Sequence, residues 1–273
     1  MRAVSLVGGM FALAAGSAGA GTVIMLDQSM NGGPARQQTI ELTFDKMKMT
    51  SPENQMIYRG DQDKVWIVRP EDKAYIELTP EGMGQMKAMM DQKMAQMQQR
   101  MASLPPEQRK QMEAMLASRG MGPSAPSTPP QITYEKAGDP KKVGFYTCTP
   151  YHVKMQGIPE SEFCMAPLSD LGLTRDDLKA FLGFGKFMSQ MGGTAAQRSP
   201  MAQLDFDSIK KQIGFDGFPV QTSLDAADVH YSVQTTLKSI KHEDPPAGTF
   251  EIPAGYTRQD MGAGMGHGPR PPG

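Results

Sequence analysis

Short runs of alternating apolar and polar residues fill the first third of the chain. In TIELTFD (39–45), Ile40, Leu42 and Phe44 fall on one side and Glu41, Thr43 and Asp45 on the other. That period of two marks a half-buried strand. MIYRG, KVWIVRP and AYIEL follow closely, divided by DQD and PEDK, while NGGP (31–34) and SPEN (51–54) carry turn residues. Residues 22–78 therefore predict an antiparallel meander of short strands.

The period changes at Thr79. Thr79 suits an N-cap and Pro80 a first helical position, and the next residues to about Ala102 are rich in Met, Gln, Lys and Ala. SLPP (103–106) breaks this helix. A second helix over PEQRKQMEAMLASR, closed by Gly120, completes a Met-rich helical hairpin at 80–119. GMGPSAPSTPP (120–130) is a Pro-rich linker. Strands are expected again at 131–137, 143–155 and 158–166. A helix is expected from Thr174 to Met191, opened by Thr174 and Asp177 as a capping box, and a short helix in MAQLDFDSIKKQI. FPVQTSL and DVHYSVQTTLKSI form a last hairpin, with Val229, Tyr231, Val233 and Leu237 on its apolar side, and GTFEIPAGY closes the fold. The class is α+β: one curved antiparallel sheet with helices on one face.

Composition narrows the function. The chain has 273 residues, 24 Met, two Cys and a formal net charge of -1. Such a balance gives no basic footprint for nucleic acid. Residues 1–20 read as a signal peptide: Arg2, an apolar run from Ala3 to Ala15, then Ala18-Gly19-Ala20 with cleavage near Ala20. The apolar run falls short of the ~20 residues a spanning helix needs, so no transmembrane anchor is expected in the mature chain. No Cys marks a lipid-anchor site. The expected location is the periplasm, an oxidising compartment. Residues 21–260 are expected to form a single domain, with 261–273 a disordered tail.

The two cysteines lie on consecutive expected strands. A loop of Met155, Gln156 and Gly157 pairs 154 with 158 and, counting outward, Cys148 with Cys164. A structural disulfide is the expectation; two free buried thiols or a metal pair are the alternatives. The pair is not in a CxxC arrangement, so thioredoxin-like chemistry is not indicated.

The order of DQDKVWIVRPEDKAYIEL, helical hairpin, CTPYHV hairpin, helix, GFPVQTSL, long strand and TFEIPAGY resembles an exported family of unknown function grouped with the periplasmic lipoprotein carriers LolA and LolB. The resemblance covers roughly 22–119 and 131–260, most specifically KVWIVRPEDKAY and FEIPAGY. It implies a LolA-like half-barrel whose concave mouth is lidded by helices, the cavity in which the carriers hold acyl chains. It carries no catalytic residues to transfer.

Catalytic motifs are lacking: HExxH, GxSxG and GxxxxGK[ST] do not occur, and the four His are scattered at 152, 230, 242 and 267. Asp170, Asp176 and Asp177 read as charges at a helix start, and no enzyme is expected. Met83, Met86, Met90, Met94, Met97 and Met101 are spaced 3, 4, 4, 3 and 4, an apolar stripe along one side of a helix that Met89 widens. Three readings stay open. The stripe is core filler. Or it is a surface for an apolar small molecule, lipid moiety or exported protein client, with Met86, Met90, Met94, Met97, Met101 and Trp66 as contacts. Or it binds copper(I) through the thioethers of Met86, Met90, Met94 and Met97. LPPEQRKQM is locally similar to segments of the small periplasmic chaperones Spy and CpxP, in line with a client-binding hairpin. An apolar ligand and no cofactor is the leading expectation, with copper(I) the alternative.

Overall fold

The computed structural model describes residues 21–102, 105, 132–155, 158–190, 206–226 and 231–260. The first meander is β1 (Thr22–Met30), β2 (Arg36–Leu42), β3 (Lys46–Thr50), β4 (Gln55–Arg59), β5 (Lys64–Arg69) and β6 (Ala74–Leu78). Helix α1 (Pro80–Ala102) leaves its last strand. The second half holds β7 (Ile132–Lys136), β8 (Lys141–Val143), β9 (Tyr146–Met155), β10 (Ile158–Pro167), α2 (Lys179–Gln190), α3 (Phe206–Ile213), β11 (Gly217–Ala226), β12 (Tyr231–His242) and β13 (Thr257–Gln259). Among the described residues these strands make one curved, unclosed sheet in the order β13-β6-β5-β4-β3-β2-β1-β12-β11-β10-β9-β7, with β8 on β9.

The pleat sorts the side chains. Ile24 and Leu26, Ile40 and Leu42, Val65, Ile76 and Leu78 point to one face and enter the main core with Phe163, Phe218 and Leu237. On that face α2 inserts Ala180, Phe181, Phe184 and Phe187, and α3 inserts Phe206 and Ile209. Tyr58 meets Phe184 and Phe187 at 5.9 and 6.0 Å between ring centroids. Gly183 allows that approach: a Cβ there would lie 2.8 Å from the Tyr58 hydroxyl. Helix α3 also seals the β7 edge. The Gln212 side chain accepts from Tyr134 N–H and donates to the Ile132 carbonyl, both at 2.9 Å, occupying the ladder groups that an edge strand leaves open.

Several expectations change. The sheet is mixed, because β13 runs parallel to β6. Phe44 does not join Ile40 and Leu42: β2 ends at Leu42, and Phe44 is 62% exposed in the following turn. The single strand expected at 143–155 is broken by a turn at Gly144, whose φ of 59° is the left-handed conformation glycine adopts without cost. Thr174 and Asp177 do exchange capping hydrogen bonds, Thr174 N–H to Asp177 at 2.7 Å and Asp177 N–H to Thr174 Oγ1 at 3.3 Å. The regular helix nevertheless starts only at Lys179, after a stretch of turns. The second helix of the Met-rich hairpin, the linker at 120–130, the signal peptide and the tail from 261 lie outside the described residues.

Cys148 and Cys164 are bonded, with Cα atoms 5.3 Å apart. The register differs from expectation: Cys164 faces Pro150 and Ile158 faces Met155, with an irregularity between Ile158 and Ser161. The bond therefore runs diagonally across the hairpin rather than between directly opposed residues.

Strands β4–β6 are buried on their other face too. Ile57, Trp66 and Val68 form a second cluster under Tyr75, Phe250, Ile252 and Tyr256, the last three from a C-terminal strap. Arg59, itself buried, holds the strap by donating to the Phe250 carbonyl at 3.3 Å and to Glu251 at 2.5 Å, while its other nitrogens grip Asp61 at 2.7–2.8 Å. Arg69 bonds Gln259, Arg258 pairs with Glu77 at 3.0 Å, and Thr257 N–H reaches the Lys73 carbonyl at 2.9 Å. The Trp66 indole N–H donates to Glu77 at 2.9 Å, with Lys64 and Arg59 over its ring at 5.5 and 6.0 Å. That hydrogen bond, helped by Arg258 and Lys64, holds the Glu77 carboxyl below the usual range, and Arg59 does the same for Asp61.

Two outcomes are expected. Replacing both cysteines by Ser should cost about 2–4 kcal/mol in urea unfolding, because the bond closes a loop of roughly 15 residues in the unfolded chain. Glu77 contributes stability that is present above its unfolded value of about 4.3 and is lost as pH falls through its lower folded value. Glu77→Gln should therefore flatten the acid limb of the stability curve, read by the emission of the single tryptophan; an unchanged slope would contradict the contribution assigned to Glu77.

Candidate functional site

Helix α1 begins as its sequence dictates. Thr79 Oγ1 accepts from Gly82 N–H at 3.1 Å and its carbonyl from Met83 N–H at 2.9 Å, so the cap turns the chain out of β6. Over 23 residues the helix is about 34 Å long at 1.5 Å per residue. Met83, in the first turn, packs against the main core. Beyond it the helix contributes no described side chain to the buried core. Its described side chains are exposed except Met86 and Met97, which are half-buried. Those two belong to the expected stripe, while the side chains of Met90, Met94 and Met101 lie outside the described ones. Met89, at the margin, is 57% exposed. Among the described side chains of α1 beyond Met83, the half-buried pair Met86 and Met97 is thus flanked by exposed ones.

Trp66 stands apart from this surface. On β5, Val65 and Ile67 face the main core that Met83 touches, whereas Trp66 and Val68 face the opposite cluster beneath the strap. Trp66 and Met83 thus belong to clusters on opposite faces of the sheet. His152 sits half-exposed on β9, and His242 Nε2 lies 2.9 Å from the Gly172 carbonyl; His230 and His267 lie outside the described residues.

Other polar groups hold elements together. Arg175 binds Asp216 and, at 2.7 Å, Asp207, while Lys210 reaches Asp216 at 2.9 Å. These contacts tie the turns before α2 to α3 and to the start of β11, and the two cations keep the Asp216 carboxyl below its usual range. Tyr58 has its phenol pushed up by burial and then by the charges of Asp63 and Asp45, which disfavours a phenolate beneath α2. Among the described residues no group of three or more His, Cys, Asp or Glu side chains gathers where it would hold a metal ion. No described helix is long and apolar enough to cross a membrane. Phe145 is 97% exposed where β8 turns into β9, although the alternation around it predicts a continuous strand. The one local mark of its turn is Gly144.

Comparison with known proteins gives a family but no activity. No curated protein matches the chain. An uncharacterized conserved protein from Thermus thermophilus has a similar solved structure, with a TM-score of 0.43, 5% identity, and coverage of 89% of this chain and 91% of that one. A domain from Vibrio parahaemolyticus named for outer membrane lipoprotein sorting gives a TM-score of 0.31 and 7% identity over 85% and 89% of the two chains. PNGF-II gives 0.38 and 9% identity, with 89% of this chain covered against 32% of that one. At these scores none speaks to activity. The family described as a domain of unknown function, DUF4412, matches residues 80–256, from the first residue of α1 to the strap at Tyr256. The match spans well over half of the chain, which belongs to the DUF4412 family.

Proposed function

We propose that this is an exported, non-enzymatic binding protein that holds an acyl chain or similar apolar ligand along the Met stripe of α1. One observation carries the reading: α2 and α3 supply Phe181, Phe184, Phe187, Phe206 and Ile209 to the main core, whereas beyond Met83 no described side chain of α1 is buried in it and Met86 and Met97 are half-buried. Burying an exposed apolar face against a ligand is favourable by about 25 cal/mol per Å² of surface removed from water. Met suits such a face because its unbranched side chain repacks around varied shapes. The stripe from Met83 to Met101 is about 27 Å long at 1.5 Å per residue. An acyl chain filling one leaflet, half of a ~30 Å hydrocarbon core, fits within it. The Cys148–Cys164 bond supports export, since such bonds persist in oxidising compartments.

Binding of a fluorescent fatty acid tests the reading. Exchanging Met86, Met90, Met94 and Met97 for Leu keeps volume and apolarity and should leave affinity within about threefold. Met86→Lys with Met97→Lys places charge on the face and should weaken binding by about tenfold or more. Loss of sub-micromolar copper(I) binding in the Leu variant, with no fatty-acid binding by the parent, would overturn the proposal and put copper(I) handling in its place. Hydrogen exchange should also be faster in α1 than in β12, whose Leu237 is buried in the core. Equal protection would mean that α1 is integral to the core.

A further inference from the structure

Phe145 is the most exposed large hydrophobic side chain among the described residues. It sits at the tip of the hairpin between β8 and β9, and β8 pairs with β9 alone. The residues on either side are anchored: Val143 is buried and Tyr146 packs against the main core. Gly144 turns the chain between them, and a Cβ at Gly144 would meet nothing within 4 Å. The tip is therefore a fixed projection whose outermost group is a phenyl ring in water. Two lysines flank it. Lys141 pairs with Glu162 at 3.0 Å, and the nearby Asp139 pairs with Lys136 at 4.0 Å. Lys142 is exposed and makes no ion pair with a described residue, so the unbalanced charge beside the ring is positive.

We infer that this tip docks the protein on a lipid bilayer, the Phe145 ring entering the boundary between headgroups and acyl chains and Lys142 meeting lipid phosphate. A protein partner needs a patch of roughly 800 Å² on each side, whereas one ring at the apex of a narrow hairpin offers little contiguous apolar surface. A bilayer asks for no such patch: it takes apolar area and basic charge together. The other strongly exposed phenylalanine has a different setting. Phe44 lies under the Lys179 ammonium at 3.6 Å and is followed by Asp45, which repels anionic lipid. This inference stands apart from the acyl-chain reading, because the tip shares no residue with α1.

Flotation of the full mature chain with vesicles of phosphatidylethanolamine and phosphatidylglycerol tests it. Phe145→Ser should lower the bound fraction by about tenfold, the scale of one phenylalanine side chain moved out of water, without affecting the fold. Lys142→Glu should weaken binding to these vesicles and leave that to neutral phosphatidylcholine vesicles unchanged. Phe44→Ser should float like the parent. A parent that does not float, or a Phe145→Ser variant that floats equally well, overturns the inference; failure to float would leave the tip for a pocket on a protein partner.

Discussion

The pairing of β1 with β12 is the constraint on which the rest of the structure depends. Each half of the sheet is made largely from strands close in sequence, and the two halves join at the centre of the sheet where these strands run antiparallel from Thr22 opposite His242 to Met30 opposite Val233, while β13 returns to pair with β6 at the far edge. The seam is extended beyond the strand by Glu243 N–H to the Gly21 carbonyl and by Gly21 N–H to Asp244, both at 2.9 Å. Without it, two long edges would face solvent, the arrangement that invites pairing with other chains. Closing so distant a contact is slow, because the chain loses its entropy before the pairing stabilises it.

Both faces then clasp the two halves across that seam. On one, α2 from the second half lays Phe184 and Phe187 against Tyr58 of the first. On the other, the C-terminal strap returns to cover Ile57, Trp66 and Val68, pinned by Arg59. The connection between the halves is left over from this construction. It begins as α1, a helix that touches the core through Met83 and beyond it adds no described side chain to the buried core. Long connections on a rigid scaffold are where binding functions concentrate, because their side chains are not committed to stability. That logic, rather than any catalytic constellation, supports a binding role.

Much of this was legible in the sequence because local pattern and final environment agree. Ile40 and Leu42 alternate and are buried, Thr79 caps α1, and the last hairpin forms with Val233 and Leu237 inward. The failures share a cause: local signals do not report where pairing stops. Phe44 continues the alternation of β2 into a turn, so its apolar character reads as core although it is exposed. Gly144 interrupts an otherwise strand-like run, and one glycine is a weak mark beside so many β-formers. The cysteine register moved by two residues, one because Ile158 faces Met155 rather than Lys154 and one at the irregularity between Ile158 and Ser161, a shift that counting outward from a symmetric loop does not reveal. Strand β13 is set by a parallel contact with distant β6, and Trp66 by the strap above it; neither carries a local signature. The Met stripe was legible as a face of a helix, but whether such a face serves core or binding surface was not, since the two share the same period.

The central claim is that this stripe, and not the buried core, receives an apolar ligand. Methionine methyl NMR addresses it directly, because stripe and core both carry methionine. On titration with a long-chain fatty acid, the methyl signals of Met86, Met90, Met94 and Met97 should shift together and show contacts to ligand methylenes, while those of the fully buried Met47 and Met165 stay in place. Shifts confined to Met47 and Met165, or a stripe that does not respond at saturating ligand, would contradict it.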